Sequence, residues 1–70
     1  MILIDILTAI EQFKKENIKD PRKIFLNKEQ MREVLRLEDY YKYVNVTEGY
    51  PFGIMGMEVY IKNIDKLYLE

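Results

Sequence analysis

The sequence predicts an α+β fold, in which a small, mostly antiparallel sheet of three or four strands has two helices packed on it. Two segments repeat apolar residues with the period of a helix, and the last quarter alternates apolar with polar side chains. The chain has 70 residues and no long linker, so we expect a single domain over residues 1–70.

The C-terminal quarter defines the side of the sheet that must be buried. Residues 57–62 and residues 66–70 each alternate apolar with other side chains, and the polar residues 62–65 between them favour a turn. The pattern therefore predicts a hairpin of two neighbouring strands. Its apolar side carries Met57, Val59, Ile61, Leu67 and Leu69.

The first helix is predicted over residues 3–16, where the apolar residues share one broad arc for three turns. Lys14 and Lys15 complement the dipole at the end of this helix, and Asn17 is suited to a left-handed cap. Residues 2–7 alone are also compatible with a strand, but the length of the pattern favours a helix.

The second helix, predicted over residues 28–38, has the clearest start signal. Asn27 can cap its first turn, and Gln30 can complete a capping box. A short strand is predicted before it, over residues 22–26, because Pro21 prevents a strand from beginning earlier.

The segment between the second helix and the hairpin changes character twice. Residues 41–47 are aromatic and β-branched, which predicts a strand. Residues 48–53 have the composition of a turn. Gly53 and Gly56 bracket two apolar residues and indicate a tight bend, or a bulge that leads into the hairpin.

The residue types that are missing restrict the chemistry. The chain contains no His, Cys or Ser, so the commonest general base, two common nucleophiles and the usual ligands of zinc, haem and iron–sulfur clusters are missing. Its glycines lie outside any strand-to-helix turn that could hold a phosphate. We therefore expect a protein that is not an enzyme, with no catalytic residues, no metal and no cofactor.

The N-terminus and the apolar runs bear on location. The first residues are apolar but lack a basic leader and include Asp5, which argues against a signal peptide. No apolar run approaches the roughly 18 residues that a membrane span needs. We expect a soluble, cytoplasmic protein that does not bind membranes.

The small size favours association with other proteins. A chain this short buries only about 60% of its unfolded surface, and no disulfide can supplement the core. Unpaired strand edges favour pairing between chains, so we expect an interaction or assembly module that forms a homo-oligomer, with another protein as a further partner. If buried, several candidate interface residues would instead fill one end of the sheet. The candidates are Tyr41, Tyr43, Tyr50, Phe52, Ile54 and Met55.

Nucleic-acid binding is the alternative interpretation, and inhibition of a host protein is a further one. Basic residues recur every four positions on the second predicted helix, and another lies among tyrosines that could stack on bases. Glutamates interleave with the helical ones, and the net charge is −1, which favours an ordinary ion-paired surface. The candidate phosphate contacts are Lys28, Arg32, Arg36 and Lys42.

Two short motifs carry a resemblance. Residues 24–29 read Ile-Phe-Leu-Asn-Lys-Glu, and residues 55–61 read Met-Gly-Met-Glu-Val-Tyr-Ile. Together they give a strand, a capped helix and a C-terminal hairpin, a pattern that resembles small phage and prophage proteins of unknown function. The resemblance covers residues 24–70 and implies a viral or mobile-element origin. It implies no activity, because these proteins have no agreed one.

Overall fold

The structure is a computed structural model that describes residues 1–47 and 50–70, without the side chains of residues 47, 50 and 51. The turn predicted at residues 48 and 49 lies outside the described residues. In chain order the elements are α1 (Ile2–Asn17), β1 (Lys23–Leu26), α2 (Lys28–Leu35), a 3-10 helix (Tyr40–Lys42), β2 (Val44–Thr47), β3 (Tyr50–Ile54), β4 (Met57–Ile61) and β5 (Tyr68–Leu69). Neither described helix is long and apolar enough to cross a membrane.

The five strands form one open, mixed sheet in the order β2-β3-β4-β1-β5. β1 runs parallel to β4, and the other neighbouring pairs are antiparallel. The predicted α+β class and the mostly antiparallel character are confirmed. The predicted number of three or four strands is wrong, because a further strand, β3, forms from residues that were assigned mainly to a turn.

β3 was missed because its proline and glycine are signals for a turn. The pairing of β2 with β3 contains a bulge, with Asn45 opposite Gly53 and Val46 opposite Pro51, so that Phe52 is the additional residue. A Cβ added to Gly53 would lie 3.2 Å from Oδ1 of Asn45. The glycine therefore marks a close approach between two strands.

The predicted hairpin between residues 57–62 and 66–70 is also wrong. β4 and β5 are antiparallel to each other, but β1 lies between them. The connection crosses the end of β1, where the N–H of Lys62 donates to the carbonyl oxygen of Leu26 at 2.8 Å. Alternation identifies which face a side chain occupies and does not identify the neighbouring strand, so it could not reveal this crossing.

The hairpin that does form joins β3 to β4. Its two-residue loop consists of Met55 and Gly56, with φ of 49° and 82°. Positive φ at both loop positions fits the right-handed twist of paired strands. The tight bend expected between Gly53 and Gly56 is therefore present, and it leads into β4 as the sequence indicated.

Both predicted helices are present. α1 matches its prediction within one residue at each end, although the left-handed cap residue is Ile18 and not Asn17. α2 ends three residues earlier than predicted, at Leu35, and the following chain turns into the 3-10 helix. That helix also delays β2, which begins at Val44 instead of residue 41.

One face of the sheet holds the core. Both helices pack there, and they cover most of the apolar side predicted from the C-terminal quarter. The exception on that side is Ile61, which is exposed. The buried core cluster consists of Ile2, Ile6, Ile24, Leu26, Met31, Val34, Val44, Ile54 and Met57.

Candidate functional site

The candidate site lies on the face of the sheet opposite the helices. Along β1, Ile24 and Leu26 enter the core, so Lys23 and Phe25 project from the other face. Phe25 is only 6% exposed, yet it lies outside the core cluster. Its burial comes mainly from side chains on the two neighbouring strands.

Three aromatic rings stack across adjacent strands on this face. Strand pairing places Tyr60 of β4 and Tyr68 of β5 on either side of Phe25. The ring centroids of Phe25 and Tyr60 are 5.1 Å apart, and those of Phe25 and Tyr68 are 4.5 Å apart. The planes are tilted by 20° and 7°, so the rings are stacked. We call these three residues the aromatic row.

Two lysines approach the aromatic row. The Nζ atom of Lys62 lies 5.2 Å from the centroid of Phe25, and that of Lys23 lies 5.6 Å from the centroid of Tyr60. An ammonium group over the face of a ring is attracted to its quadrupole, which applies to Lys23 at Tyr60, whereas Phe25 has a tyrosine stacked on each face. The lysines therefore place positive charge beside the aromatic row.

A carboxylate lies at the Tyr60 end of the aromatic row. The hydroxyl of Tyr60 donates a hydrogen bond of 2.8 Å to Oε2 of Glu58, two residues earlier on β4. This hydrogen bond is the main reason why the pKa of Tyr60 is raised above its usual value of 10.0. The hydroxyl is therefore a neutral donor across the physiological range.

The residues predicted as a partner interface differ in exposure, and two of them meet, since the N–H of Met55 donates to the carbonyl oxygen of Tyr43 at 2.8 Å. Tyr41 and Phe52 are exposed, whereas Tyr43 and Met55 are half-buried against the core. Ile54 is completely buried in the core, so it offers no contact surface in the single chain. The side chain of Tyr50 lies outside the described part of the structure.

The four candidate phosphate contacts lie away from the aromatic row. Lys28 and Arg32 are exposed on α2, and Arg36 is exposed directly after its last residue. α2 packs on the other face of the sheet. Arg32 forms an ion pair with Glu29. Lys42 lies in the 3-10 helix beside β2, and its Nζ atom is 3.9 Å from Oδ2 of Asp39. These basic residues and the aromatic row are two separate surfaces.

A shallow depression lies where β1 ends, between the start of α2 and the connection that follows β4. Asn27 lines it, but the polar atoms of this side chain are engaged, since Nδ2 donates to the carbonyl oxygen of Ile64 and Oδ1 accepts from the N–H of Gln30. Within residues 1–47 and 50–70, no group of three or more acidic side chains is placed to hold a metal ion. The depression is thus a junction between structural elements.

Comparisons of the chain with protein-family models, with curated proteins and with solved structures found no match.

Sequence reasoning overlooked the aromatic row, although the signal for it was present. The same alternation that identified the apolar side also places Phe25, Tyr60 and Tyr68 on the opposite side of their strands. The alternation does not specify the order of the strands in the sheet. The three rings meet only because β1 lies between β4 and β5. With the hairpin expected instead, Phe25 had no assigned neighbour.

Proposed function

We propose that this chain is a non-enzymatic protein-interaction or assembly module that associates with itself. The observation that carries the proposal is the aromatic row, which extends from β4 to the edge strand β5 on the face without a packed helix. Its outermost ring, Tyr68, is 41% exposed. Tyrosine is enriched in protein interfaces, where it contributes a large contact area and a hydroxyl for hydrogen bonding.

The stacking supports a protein partner over a nucleic acid. Phe25 has Tyr60 on one side and Tyr68 on the other, so neither face of its ring is open to a base. Lys23 approaches the ring of Tyr60 as well. The surface therefore presents ring edges, hydroxyls, charged groups and one outer ring face, that of Tyr68, which suit another polypeptide better than a row of bases.

The ends of the sheet support self-association. β2 and β5 are the terminal strands, and each has backbone hydrogen-bonding groups that no further strand of the described chain can satisfy. A chain of 70 residues also gains stability from association, because its own core is small. The motifs that resemble phage and prophage proteins lead us to propose a viral or mobile-element origin for this module.

Sedimentation velocity over micromolar to millimolar protein concentrations tests this function. We expect a reversible dimer or larger species, with weaker association when Tyr68→Ala removes the outermost ring. Tyr41→Ala is the matched control, because Tyr41 is also exposed but lies near the opposite end of the sheet. A monomer mass at every concentration would contradict the proposal.

A second candidate function is binding of single-stranded nucleic acid, favoured by the two lysines over the aromatic row. The test is fluorescence anisotropy with mixed-sequence DNA and RNA at about 50 mM salt, where phosphate contacts are strong. If this function is correct, Lys23→Ala and Lys62→Ala weaken binding, while Arg36→Ala, at the C-terminal cap of α2, does not. No change in anisotropy at this salt would exclude it.

A further inference from the structure

The edge strand β5 lies within a segment whose sequence is complementary to itself. Residues 66–70 read Lys-Leu-Tyr-Leu-Glu, with Tyr68 at the centre. When two copies of this segment run antiparallel with their tyrosines opposite each other, Lys66 faces Glu70 and Leu67 faces Leu69. A twofold axis through the centre makes each of these contacts twice.

The backbone of β5 is oriented to accept such a pairing. Lys23 and Glu70 exchange both of their backbone hydrogen bonds, at 2.9 and 3.0 Å. In an antiparallel ladder the groups that point toward one neighbour alternate with those that point away. The N–H and carbonyl groups of Leu67 and Leu69 therefore point away from β1, toward the open edge of the sheet.

We propose that two copies of this chain join through β5, antiparallel and with Tyr68 opposite Tyr68 of the second copy. This inference rests on the proposed self-association and specifies its surface and register. In this register Leu67 and Leu69 of the second copy form a hydrogen-bonded pair, and the two tyrosines form a non-hydrogen-bonded pair. The outward backbone groups are the ones that this register uses.

Charge and apolar complementarity support the same register. β5 itself covers Tyr68 and Leu69, and Lys66 lies in a bend that precedes it. When the pairing extends the segment, Lys66, Tyr68 and Glu70 share the face of the aromatic row, while Leu67 and Leu69 share the core face. Within the described chain, neither Lys66 nor Glu70 has an ion-pair partner within 4.0 Å. The pairing gives each of them an opposite charge directly across the strand, and it extends the core with leucine contacts.

The aromatic row supports it as well. The rings are spaced by 5.1 and 4.5 Å, close to the roughly 4.8 Å between neighbouring strands. A second β5 would continue this spacing, so that two rows of three rings meet at Tyr68. The other edge strand, β2, lies two strands away from the aromatic row and cannot continue it.

A charge swap tests the register. Lys66→Glu alone, and Glu70→Lys alone, each place like charges opposite each other twice, and we expect each to raise the dimer dissociation constant about tenfold. The double variant Lys66→Glu with Glu70→Lys restores opposite charges and is expected to restore association. Lys42→Glu is the control for Lys66→Glu, because it makes the same charge change beside β2 at the other end of the sheet.

The outcomes separate the two proposals. If the unmodified chain is monomeric at all concentrations, the proposed function fails and the β5 register fails with it. If the chain associates but the two single variants behave like Lys42→Glu, self-association stands and the β5 register is overturned. Circular dichroism of each variant establishes that it is folded, and only the double variant should reverse the loss seen in the singles.

Disulfide formation tests the same register without relying on charge. The chain has no cysteine, so Tyr68→Cys introduces a single thiol at the twofold axis. A non-hydrogen-bonded pair brings the two Cα atoms to about 4.5 Å, which a disulfide can bridge. Lys66→Cys is the control, because its two copies would be four residues apart along the strands, about 13 Å. Cross-linking of Lys66→Cys as fast as Tyr68→Cys would overturn the register.

Discussion

The two faces of the sheet are built from the same strands but are buried in different ways. On the helix-covered face, Ile24 and Leu26 are enclosed by side chains of α1, α2 and neighbouring strands. On the other face, Phe25 becomes almost as inaccessible through two stacked tyrosines. The first face is completed by its own chain, while the second ends at an exposed ring on an open edge. The difference leaves Tyr68 as the partly exposed end of the aromatic row.

The largest expected effect is on the helix-covered face. Leu26 is 0% exposed, so Leu26→Ala removes buried methyl groups and leaves a cavity, with an expected loss of about 2–5 kcal/mol in the free energy of unfolding. Leu35→Ala is the matched control, because Leu35 is 38% exposed on α2 and should lose less than about 1 kcal/mol. Urea unfolding measures both. Equal losses would mean that the two positions are not distinguished by burial.

The next effect concerns the junction that brings β5 beside β1, on which both faces depend. Asn27→Ala removes the cap of α2 and the hydrogen bond of 2.8 Å to the carbonyl oxygen of Ile64. We expect a loss of about 2 kcal/mol in the free energy of unfolding. Asn27→Asp keeps the capping oxygen and removes only the donor, so it should lie between the native chain and Asn27→Ala in the same urea titration. If Asn27→Asp and Asn27→Ala lower the free energy of unfolding equally, the capping oxygen does not contribute to stability.

A smaller effect is expected at the outer end of the aromatic row. At concentrations where the chain is monomeric, Tyr68→Ala should lower the free energy of unfolding by about 1 kcal/mol, because it removes one cross-strand aromatic pair from a partly exposed site. Tyr68→Phe keeps the ring and should have almost no effect. If Tyr68→Ala lowers the free energy of unfolding as much as Leu26→Ala does, the outer end of the aromatic row is as important to stability as the core.

The sequence was informative where a signal is local. The capping box of Asn27 and Gln30 forms as its spacing indicates, and the periodicity of residues 3–16 gives a helix. The side assignments from alternation also hold at Met57, which is buried in the core, and at Leu69, which packs against it. In each case the cause lies within a few residues of the effect.

The sequence was uninformative where the structure depends on distant segments. The parallel pairing of β1 with β4 is set by how the whole chain closes, and no local pattern encodes it. The local preference of Pro51 and Gly53 favours a turn, whereas the bulge opposite Asn45 and Val46 admits them to a strand. The candidate site was missed for the same reason, since its three rings come from three separate segments.

The smallest expected effect is a change in the pKa of Tyr60 when the carboxylate beside the aromatic row is removed. The hydrogen bond to Glu58 raises the pKa of Tyr60 above 10.0, so the interaction stabilises the folded chain below that pH and is lost as the pH rises through the raised pKa. Glu58→Gln removes the carboxylate charge, and we expect the pKa of Tyr60 to fall toward its usual value. NMR titration of ring-labelled tyrosine measures this, with the signal of Tyr60 identified by Tyr60→Phe. Glu33→Gln, on the exposed side of α2, is the control, and an equal shift there would show that the hydrogen bond is not the cause.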